Sequence, residues 1–431
     1  MRLGMEEYHD PERHIRSDFQ RDYDRLVFSS PFRRLQNKTQ VFPLPGSVFV
    51  HNRLTHSLEV SSVGRSMAAE AAIILKERHA GKPWVDKISH IPDITATACL
   101  CHDLGNPPFG HSGEKTIATF FSEGPGQQLR SGLSEAEWAD LVNFEGNANS
   151  FRLLAHRFVG RRNGGFAMTY SSLASIVKYP HSSLKAGKKG KFGFFESERP
   201  VYERVARELG IREIEEGRYA RHPLVWLMEA ADDICYQIMD LEDAHRLHII
   251  STGETADILL NFFEPDVRGK RMESMRRLDD PNEQIGYLRS RVIGELVGSC
   301  ARAFADNEES ILDGTLSTSL VKLSSPTLSE AYAYCARVAE SRIYCSSDVV
   351  DIEIAGNRII NYLMDVLMDA VMNPDKNFSK LLLKKVPEQY DINAPTKYER
   401  IQAVLDHISG MTDIYALDLF RKLNGHSLPQ V

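Results

Sequence analysis

A His-Asp dipeptide at the end of an apolar run is the first feature of the sequence that could do chemistry. His102 and Asp103 follow the residues ATACLC and precede LGNPPFG, whose glycines and prolines cannot continue a helix. Side chains converge more readily at a helix end than along regular turns, so the two could face one site. A charged Asp there needs a partner, and a divalent metal ion is one. A second such dipeptide, His9-Asp10, lies in a polar stretch and is interpreted as chance.

Further ligand candidates lie on two other predicted helices. His56 stands in an otherwise core-forming pattern in HNRLTHSLEV, and the adjacent carboxylates Asp232 and Asp233 interrupt an apolar face in LMEAADDICYQIM. For each residue alone, an ordinary hydrogen-bonded core position is an adequate explanation, because buried polar groups usually find protein partners. Two imidazoles and two carboxylates together form a mixed nitrogen and oxygen donor set, which suits Mn²⁺, Fe²⁺, Mg²⁺ or Ni²⁺.

A second pair, His111 and Glu114, lies just beyond the His-Asp dipeptide. The spacing of three residues at a predicted helix start puts both side chains on one helical face. A carboxylate fixes the tautomer of a neighbouring imidazole and raises its basicity, so the pair is suited to proton transfer near neutral pH. A favourable acidic first turn would explain Glu114 without any chemistry, but it would not explain His111.

Helical periodicity dominates the rest of the chain and predicts an all-α fold. The predicted helices cover residues 54–78, 93–103 (with Asp93 as N-cap), 222–249 (with Pro223 in the first turn), 283–305, 329–340, 355–372 and 397–407. Strand patterns are rare, and the two short candidates are 48–50 and 191–195. Segments rich in glycine and polar residues predict exposed loops at 122–134 and 181–200.

Composition narrows the class of protein. The chain has 431 residues and a net charge of −7, which argues against broad capture of duplex nucleic acid. No apolar run approaches the roughly 20 residues needed to cross a bilayer, and the polar start MRLGMEEYHD lacks the apolar stretch of a signal peptide. The six cysteines form no CxxC pair and are interpreted as core thiols of a reducing compartment. A cytoplasmic location without a membrane partner is therefore expected.

The segments around these residues resemble the HD-domain deoxynucleoside triphosphate triphosphohydrolases, the dGTPase family. The likeness covers about residues 35–245 and is carried by HNRLTHSLEV, CHDLGNPPFGHSGE, NFEGNA and MEAADDICYQIMDLEDA. It implies an HD-domain helical core with additional C-terminal helices, divided into an N-terminal segment 1–34, a catalytic core 35–250 and a C-terminal helical region 251–431. It also implies one divalent metal ion, Mg²⁺ or Mn²⁺ with Fe²⁺ or Ni²⁺ as alternatives, held by His56, His102, Asp103 and Asp232.

The activity implied by the resemblance is hydrolysis of dGTP or another dNTP to the deoxynucleoside and inorganic triphosphate. His111 and Glu114 would act at the α-phosphorus, where they position or deprotonate the attacking water. The implied substrate contacts are Gln40, Arg53, Lys178, Tyr179, Tyr236 and Asp240. Tyr236 would pack against the deoxyribose and Asp240 would accept a hydrogen bond from its 3′-hydroxyl; a core aromatic and a local ion pair are the structural alternatives.

Two other functions remain open at this stage. One is another HD hydrolase, either a 5′-nucleotidase or a phosphodiesterase, and the other is a nucleotide-sensing regulator without turnover. A dNTP or a single-stranded nucleic acid is a possible effector, and a homo-oligomer, dimeric or hexameric, is expected. Arg342 and Arg358 are candidates to complete a pocket with a neighbouring subunit. The lysine-rich segment is interpreted mainly as a solvated loop, with an effector role as the alternative; its lysines are Lys185, Lys188, Lys189 and Lys191.

Overall fold

Helices form nearly all the regular structure in the described part of the chain. The computed structural model describes residues 1–5, 15–42 and 50–427. Within them, helices α1 to α19 span Asp18–Val27, Ser30–Arg34, Arg53–Arg78, Ile91–Cys101, Gly110–Ser122, Glu135–Val142, Gly146–Ala155, Tyr170–Ala174, Arg199–Leu209, Pro223–Arg246, Thr252–Leu260, Pro265–Met275, Pro281–Asp306, Glu308–Leu312, Pro326–Val338, Ser347–Met372, Asn377–Leu383, Lys397–Ser409 and Asp413–Leu423. The strands β1 (Glu213–Glu215) and β2 (Arg218–Tyr219) form one antiparallel hairpin. The all-α prediction is confirmed.

Three helices, α3, α4 and α10, pack closely together at the centre of the larger core. A side chain at Gly64 of α3 would place its Cβ 2.5 Å from the Cys99 sulfur of α4 and 3.3 Å from Ala231 Cβ of α10. Only glycine therefore fits where the three helices meet. Val60, Met67, Leu100 and Ile234 are fully buried on the facing sides of these helices. The close approach brings the polar residues of the three helices within reach of one another.

Local sequence explains where these helices begin and end. Asn52 caps α3 by accepting a hydrogen bond from the Thr55 N–H at 3.0 Å, and the Thr55 hydroxyl accepts in return from the Asn52 N–H. Pro223 is the first residue of α10, as predicted. The prediction of Asp93 as the N-cap of α4 is wrong, because the helix begins at Ile91 and Asp93 lies in its first turn.

The C-terminal helices form a second core with the helix that carries His111. Ile117 and Phe121 of α5 are buried in the same apolar cluster as Leu363 of α16 and Ile401 of α18. A side chain at Gly356 of α16 would lie 2.7 Å from Phe109, just before α5. The C-terminal region therefore packs directly on the segment that follows the His-Asp dipeptide.

The segment 181–200 differs from its prediction. Residues 187–189 are exposed as predicted, but residues 192–195 are buried and form no strand. The Phe194 ring stacks on Tyr202 with ring centroids 4.6 Å apart, and the ring centroids of Phe195 and Phe192 are 5.5 Å apart. The burial of these rings outweighs the glycine and lysine content on which the loop prediction rested. The segment 122–134 is mostly exposed but contains a short 3₁₀ helix, Pro125–Leu129.

Some sequence predictions concern residues that bear only indirectly on the site. His9-Asp10 and most of the predicted strand 48–50 lie outside the described residues. Five of the six cysteines are buried free thiols as expected, whereas Cys345 is exposed. Among the described residues, no helix is both long and apolar enough to span a membrane.

Candidate metal centre and active site

His56, His102 and Asp232 converge from three helices to one point. His56 lies in the first turn of α3, His102 directly follows α4, and Asp232 lies near the middle of α10. The Nε2 atoms of both histidines are 3.2 Å from the same Asp232 oxygen, Oδ1. One ligand atom of each residue lies within 4.8 Å of the other two. Both imidazoles are almost completely buried, with residue exposures of 2% and 4%.

The hydrogen bonding of His102 fits a metal ligand. Its Nδ1 lies 2.6 Å from the Cys99 carbonyl oxygen, and because a carbonyl only accepts, Nδ1 must carry the proton. In the neutral ring, the Nε2 atom then presents a lone pair toward the Asp232 carboxylate, and this atom is buried without a hydrogen-bond partner among the described residues. A lone pair facing a carboxylate oxygen is stabilised by a cation between them, and a backbone carbonyl that orients the other ring nitrogen is common for metal-binding histidines. The three residues therefore fit a divalent metal ion.

Asp103 lies beside this group rather than within it. Its Oδ1 is 3.6 Å from His102 Nε2 and accepts a hydrogen bond from the Asn106 amide at 2.7 Å. Its Oδ2 forms a buried ion pair with Arg53. Burial would raise the pKa of Asp103, but Arg53 and then His102 outweigh it and hold that pKa well below its usual range. The carboxylate is thus ionised and close enough to remain a predicted ligand.

Of the two adjacent carboxylates, Asp232 is the one that faces the histidines. Its second oxygen, Oδ2, accepts a hydrogen bond from the Lys178 ammonium at 2.7 Å. Burial opposes ionisation of Asp232, but Lys178 and then His102 lower its pKa well below the ordinary value. Consecutive helical residues point about 100° apart, so Asp233 cannot share this position.

A cavity of about 230 Å³ opens in front of these residues. Its walls contain five of the six predicted substrate contacts as well as both members of the predicted catalytic pair. The lining residues are Gln40, Arg53, His102, Asp103, Asn106, His111, Glu114, Asn147, Lys178, Tyr179, Lys191, Asp232, Asp233 and Tyr236. The residues that the sequence suggested separately are therefore brought to one cleft.

Asp240 is the predicted substrate contact that does not line this cavity. Its Oδ2 accepts a hydrogen bond from the Tyr344 hydroxyl at 2.8 Å, and the Tyr344 ring lies 5.8 Å from the ring of Tyr236. Arg342 and Arg358 do not line the cavity either. Arg342 forms an ion pair with Glu254, and Arg358 is exposed.

His111 and Glu114 form the hydrogen-bonded pair that their spacing predicts. His111 Nδ1 lies 3.0 Å from Glu114 Oε2, with the imidazole side chain 68% exposed and the carboxylate buried. The hydrogen bond to Glu114 and its negative charge raise the pKa of His111. Burial opposes ionisation of Glu114, but the bond to His111 outweighs it and lowers the pKa of the carboxyl. Glu114 holds the proton on Nδ1, so Nε2 is the atom free to exchange a proton at the cavity.

Glu114 is itself fixed by the NFEGNA segment. Its Oε1 accepts a hydrogen bond from the Gly146 N–H at 2.9 Å. A Cβ at Gly146 would lie 2.3 Å from this oxygen and 2.0 Å from the Asn106 side-chain oxygen, so the backbone can approach both side chains only at a glycine. The resemblance pointed to this segment, but the sequence did not indicate that its role is to hold Glu114.

Lys191 is a cavity residue that sequence reasoning missed. It was assigned to a solvated lysine-rich loop, yet its ammonium donates to Glu145 at 2.6 Å and lies 3.9 Å from Glu114. The signal that could have separated it from the other lysines is its neighbour Phe192, which is fully buried. An aromatic run beside a lysine indicates that this end of the segment packs against the core, which limits how far the lysine can extend into solvent.

The arrangement has the parts that phosphate-ester hydrolysis needs. Three residues fit a divalent cation, Arg53 and Lys178 supply fixed positive charge, and His111 supplies a group that can accept or donate a proton. Positive charge in a partly closed cavity stabilises the charge that develops on phosphoryl oxygens.

Comparison with known proteins agrees with this chemistry. The HD domain model matches residues 53–137, and the phosphohydrolase-associated domain model matches residues 323–422. The chain is 36% identical to a deoxyguanosinetriphosphate triphosphohydrolase-like protein of Pseudomonas aeruginosa, over 96% of this chain and 95% of that protein. It is 38% identical to a protein of the same description from Synechocystis, over 99% and 98% of the two chains.

A third relative has the same name without the suffix "-like". The deoxyguanosinetriphosphate triphosphohydrolase of Yersinia enterocolitica is 30% identical over 94% of this chain and 93% of its own. The similarity to all three relatives extends over almost the full length of both proteins. The chain therefore belongs to the deoxyguanosinetriphosphate triphosphohydrolase-like family of HD-domain phosphohydrolases.

Proposed function

We propose that the protein hydrolyses a deoxynucleoside triphosphate, dGTP or another dNTP, to the deoxynucleoside and inorganic triphosphate. The observation that carries the proposal is the convergence of His56, His102 and Asp232 beside a cavity that also contains the His111–Glu114 pair. Family membership supports the same reaction, since the relatives are named for it.

One divalent ion, Mg²⁺ or Mn²⁺ with Fe²⁺ or Ni²⁺ as alternatives, would be held by His56, His102 and Asp232, with Asp103 as the fourth ligand. Bound there, it would act as a Lewis acid on a phosphoryl oxygen. The mixed nitrogen and oxygen donors and the unpartnered Nε2 of His102 support this assignment.

Side chains of the protein would bind the triphosphate and transfer the proton. Arg53 and Lys178 would donate hydrogen bonds to the triphosphate, with Tyr179 beside them. His111 would take or give a proton at Nε2, while Glu114 holds Nδ1 protonated. The pair is thus suited to activate a water molecule for attack at the α-phosphorus.

The sugar would be held by the other side of the cavity. Gln40 would contact the sugar or base, and Tyr236 would pack against the deoxyribose, where a 2′-hydroxyl would be excluded by contact. Asp240 would accept from the 3′-hydroxyl with an oxygen that Tyr344 leaves available, since the Tyr344 hydroxyl occupies only Oδ2. That role requires the side chain of Tyr236 or Tyr344 to move, because Asp240 does not line the cavity.

Two alternatives make different products. Another HD hydrolase would release orthophosphate or a mononucleotide, and a nucleotide-sensing regulator would release nothing. The His111–Glu114 pair and its support by Gly146 argue against the regulator, because a regulator has no use for a positioned proton-transfer group. Family membership favours the triphosphohydrolase over the other hydrolases. Cytoplasmic location and a homo-oligomer remain part of the proposal; the buried free thiols support a reducing compartment.

Incubation of metal-loaded protein with each of the four dNTPs, singly and in mixtures, tests the proposal. We expect inorganic triphosphate and the matching deoxynucleoside in equal amounts from at least one dNTP. A mixture that reacts faster than its components would indicate a nucleotide effector. Orthophosphate, a deoxynucleoside monophosphate or no product in protein with stoichiometric metal would contradict the proposed reaction.

A further inference from the structure

Asp413, the first residue of α19, connects the C-terminal region to two segments of the cavity wall. Its Oδ2 accepts hydrogen bonds from the Thr39 N–H at 2.8 Å and from the Thr39 hydroxyl at 2.6 Å. Its Oδ1 accepts from the Phe109 N–H at 3.0 Å. Thr39 directly precedes Gln40, and Phe109 stands two residues before His111. One buried carboxylate thus ties together the segments that carry two cavity residues.

The Phe109 backbone needs to be held in place. Its φ angle is 61°, in the left-handed region that a bulky L-residue rarely adopts. The C-terminal region holds the residue from two sides: Asp413 accepts from its N–H, and Gly356 of α16 lies against its side chain. Such a conformation persists only where surrounding contacts determine it, and it often marks a functional site.

Lys38 provides a parallel connection. Its buried ammonium donates to the carbonyl oxygens of Asn106, at 2.6 Å, and of Ser409, at 2.7 Å. Burial lowers the pKa of Lys38 to about 7, and the negative charge of Asp413 opposes this shift. The loop after the His-Asp dipeptide is therefore fastened to the C-terminal region at both Asn106 and Phe109.

We propose that Asp413 is a positioning residue for the reaction: it fixes the turn that carries His111 and the segment that carries Gln40 relative to each other. Asp413 does not line the cavity, and it is not one of the three clustered residues His56, His102 and Asp232. The proposal rests on the proposed function in one respect, the use of His111 as the proton-transfer group. The structural alternative is that Asp413 only stabilises α19 through the favourable interaction of an acidic first-turn residue with the helix N-terminus.

Asp413→Asn separates these possibilities because an amide offers one acceptor oxygen where the carboxylate offers two. Either Thr39 or Phe109 must then face an NH₂ group instead of an acceptor. We expect kcat to fall at least tenfold while bound metal stays stoichiometric. In the His111→Ala background, the same substitution should change kcat less than twofold, because the effect of Asp413 on kcat passes through His111, whereas an effect through Gln40 should appear in KM.

Thr412→Ala is the matched control. Thr412 caps the same helix by accepting a hydrogen bond from the Tyr415 N–H. Among the described residues it forms no hydrogen bond to Thr39 or Phe109. We expect it to lower the melting temperature but to leave kcat within twofold of wild type. The positioning role is wrong if Thr412→Ala lowers kcat as much as Asp413→Asn does. It is also wrong if the double variant loses as much kcat as the product of the two single-variant losses.

Hydrogen exchange provides a readout that does not depend on activity. In nucleotide-free protein, Asp413→Asn should speed amide exchange in residues 109–113, the amides that follow Pro107 and Pro108, and Thr412→Ala should not. Unchanged exchange there would overturn the proposal even if catalysis were lost. If wild-type protein releases no triphosphate, the proposed function fails while this measurement still decides whether Asp413 orders the turn.

Thr39→Val is the alternative variant if Asp413→Asn fails to fold. It removes one of the three hydrogen bonds to Asp413 and should give smaller changes of the same kind in kcat and in amide exchange.

Discussion

Replacing Asp232 by alanine is expected to remove bound metal and turnover together. Asp232 Oδ1 is the common partner of both histidine Nε2 atoms, so its loss leaves an incomplete ligand set. Removing only an outer partner of a metal ligand costs roughly 10- to 100-fold, so losing a ligand should leave turnover below about 1% of wild type. Metal content and turnover should be measured on the same sample.

Asp233→Ala is the control for this prediction. Asp233 is the neighbouring carboxylate on the same helix, but it is not clustered with His56 and His102 as Asp232 is. We expect this variant to keep stoichiometric metal and to lose much less activity. Stoichiometric metal in Asp232→Ala together with metal loss in Asp233→Ala would show that the wrong carboxylate has been assigned as the ligand.

Replacing His111 by alanine is expected to lower turnover by roughly 10²- to 10⁴-fold, the usual effect of removing a positioned acid or base. This corresponds to about 3–5 kcal/mol of activation free energy. Metal content and dNTP affinity should stay near wild type, because proton transfer matters only as the P–O bond breaks. Glu114→Gln should lose less, since it leaves His111 in place and weakens only its orientation and basicity.

The melting temperature of the His111→Ala protein distinguishes catalysis from stability. The side chain is 68% exposed, but its removal takes one hydrogen-bond partner from the buried Glu114 carboxylate, so we expect the free energy of unfolding to fall modestly, by about 1–3 kcal/mol, in a protein that still folds and binds metal. A purely structural role predicts the reverse pattern, with altered stability and nearly intact turnover of the folded protein. Near-normal turnover in correctly metallated His111→Ala protein would remove this residue from the mechanism.

Local patterns in the sequence predicted much of the fold and part of the site. The spacing of apolar residues predicted α3 and α10, and their starts follow from Asn52 and Pro223, which act within one turn. His56, His102 and Asp232 were suggested because each interrupts or ends an apolar pattern, and the structure brings these three together. Such interruptions are readable because a polar group in a core needs a partner, whichever residue supplies it.

Contacts between distant segments could not be predicted in this way. The bond from Phe109 to Asp413 joins residues 304 positions apart, and the bond from Tyr344 to Asp240 joins residues 104 apart. Neither Asp413 nor Tyr344 differs in its local pattern from an ordinary surface or core residue. The misassigned Lys191 has the same cause, because its place in the cavity follows from the packing of the aromatic residues after it.

Hydrolysis in oxygen-18 water, followed by mass spectrometry of both products, shows which P–O bond the protein breaks. Attack of water on the α-phosphorus breaks its bond to the 5′-oxygen, so we expect one labelled oxygen in the inorganic triphosphate and none in the deoxynucleoside. Unlabelled triphosphate incubated with the protein in the same water controls for later exchange. Label in the nucleoside 5′-hydroxyl, or label in orthophosphate with no triphosphate formed, would contradict the mechanism.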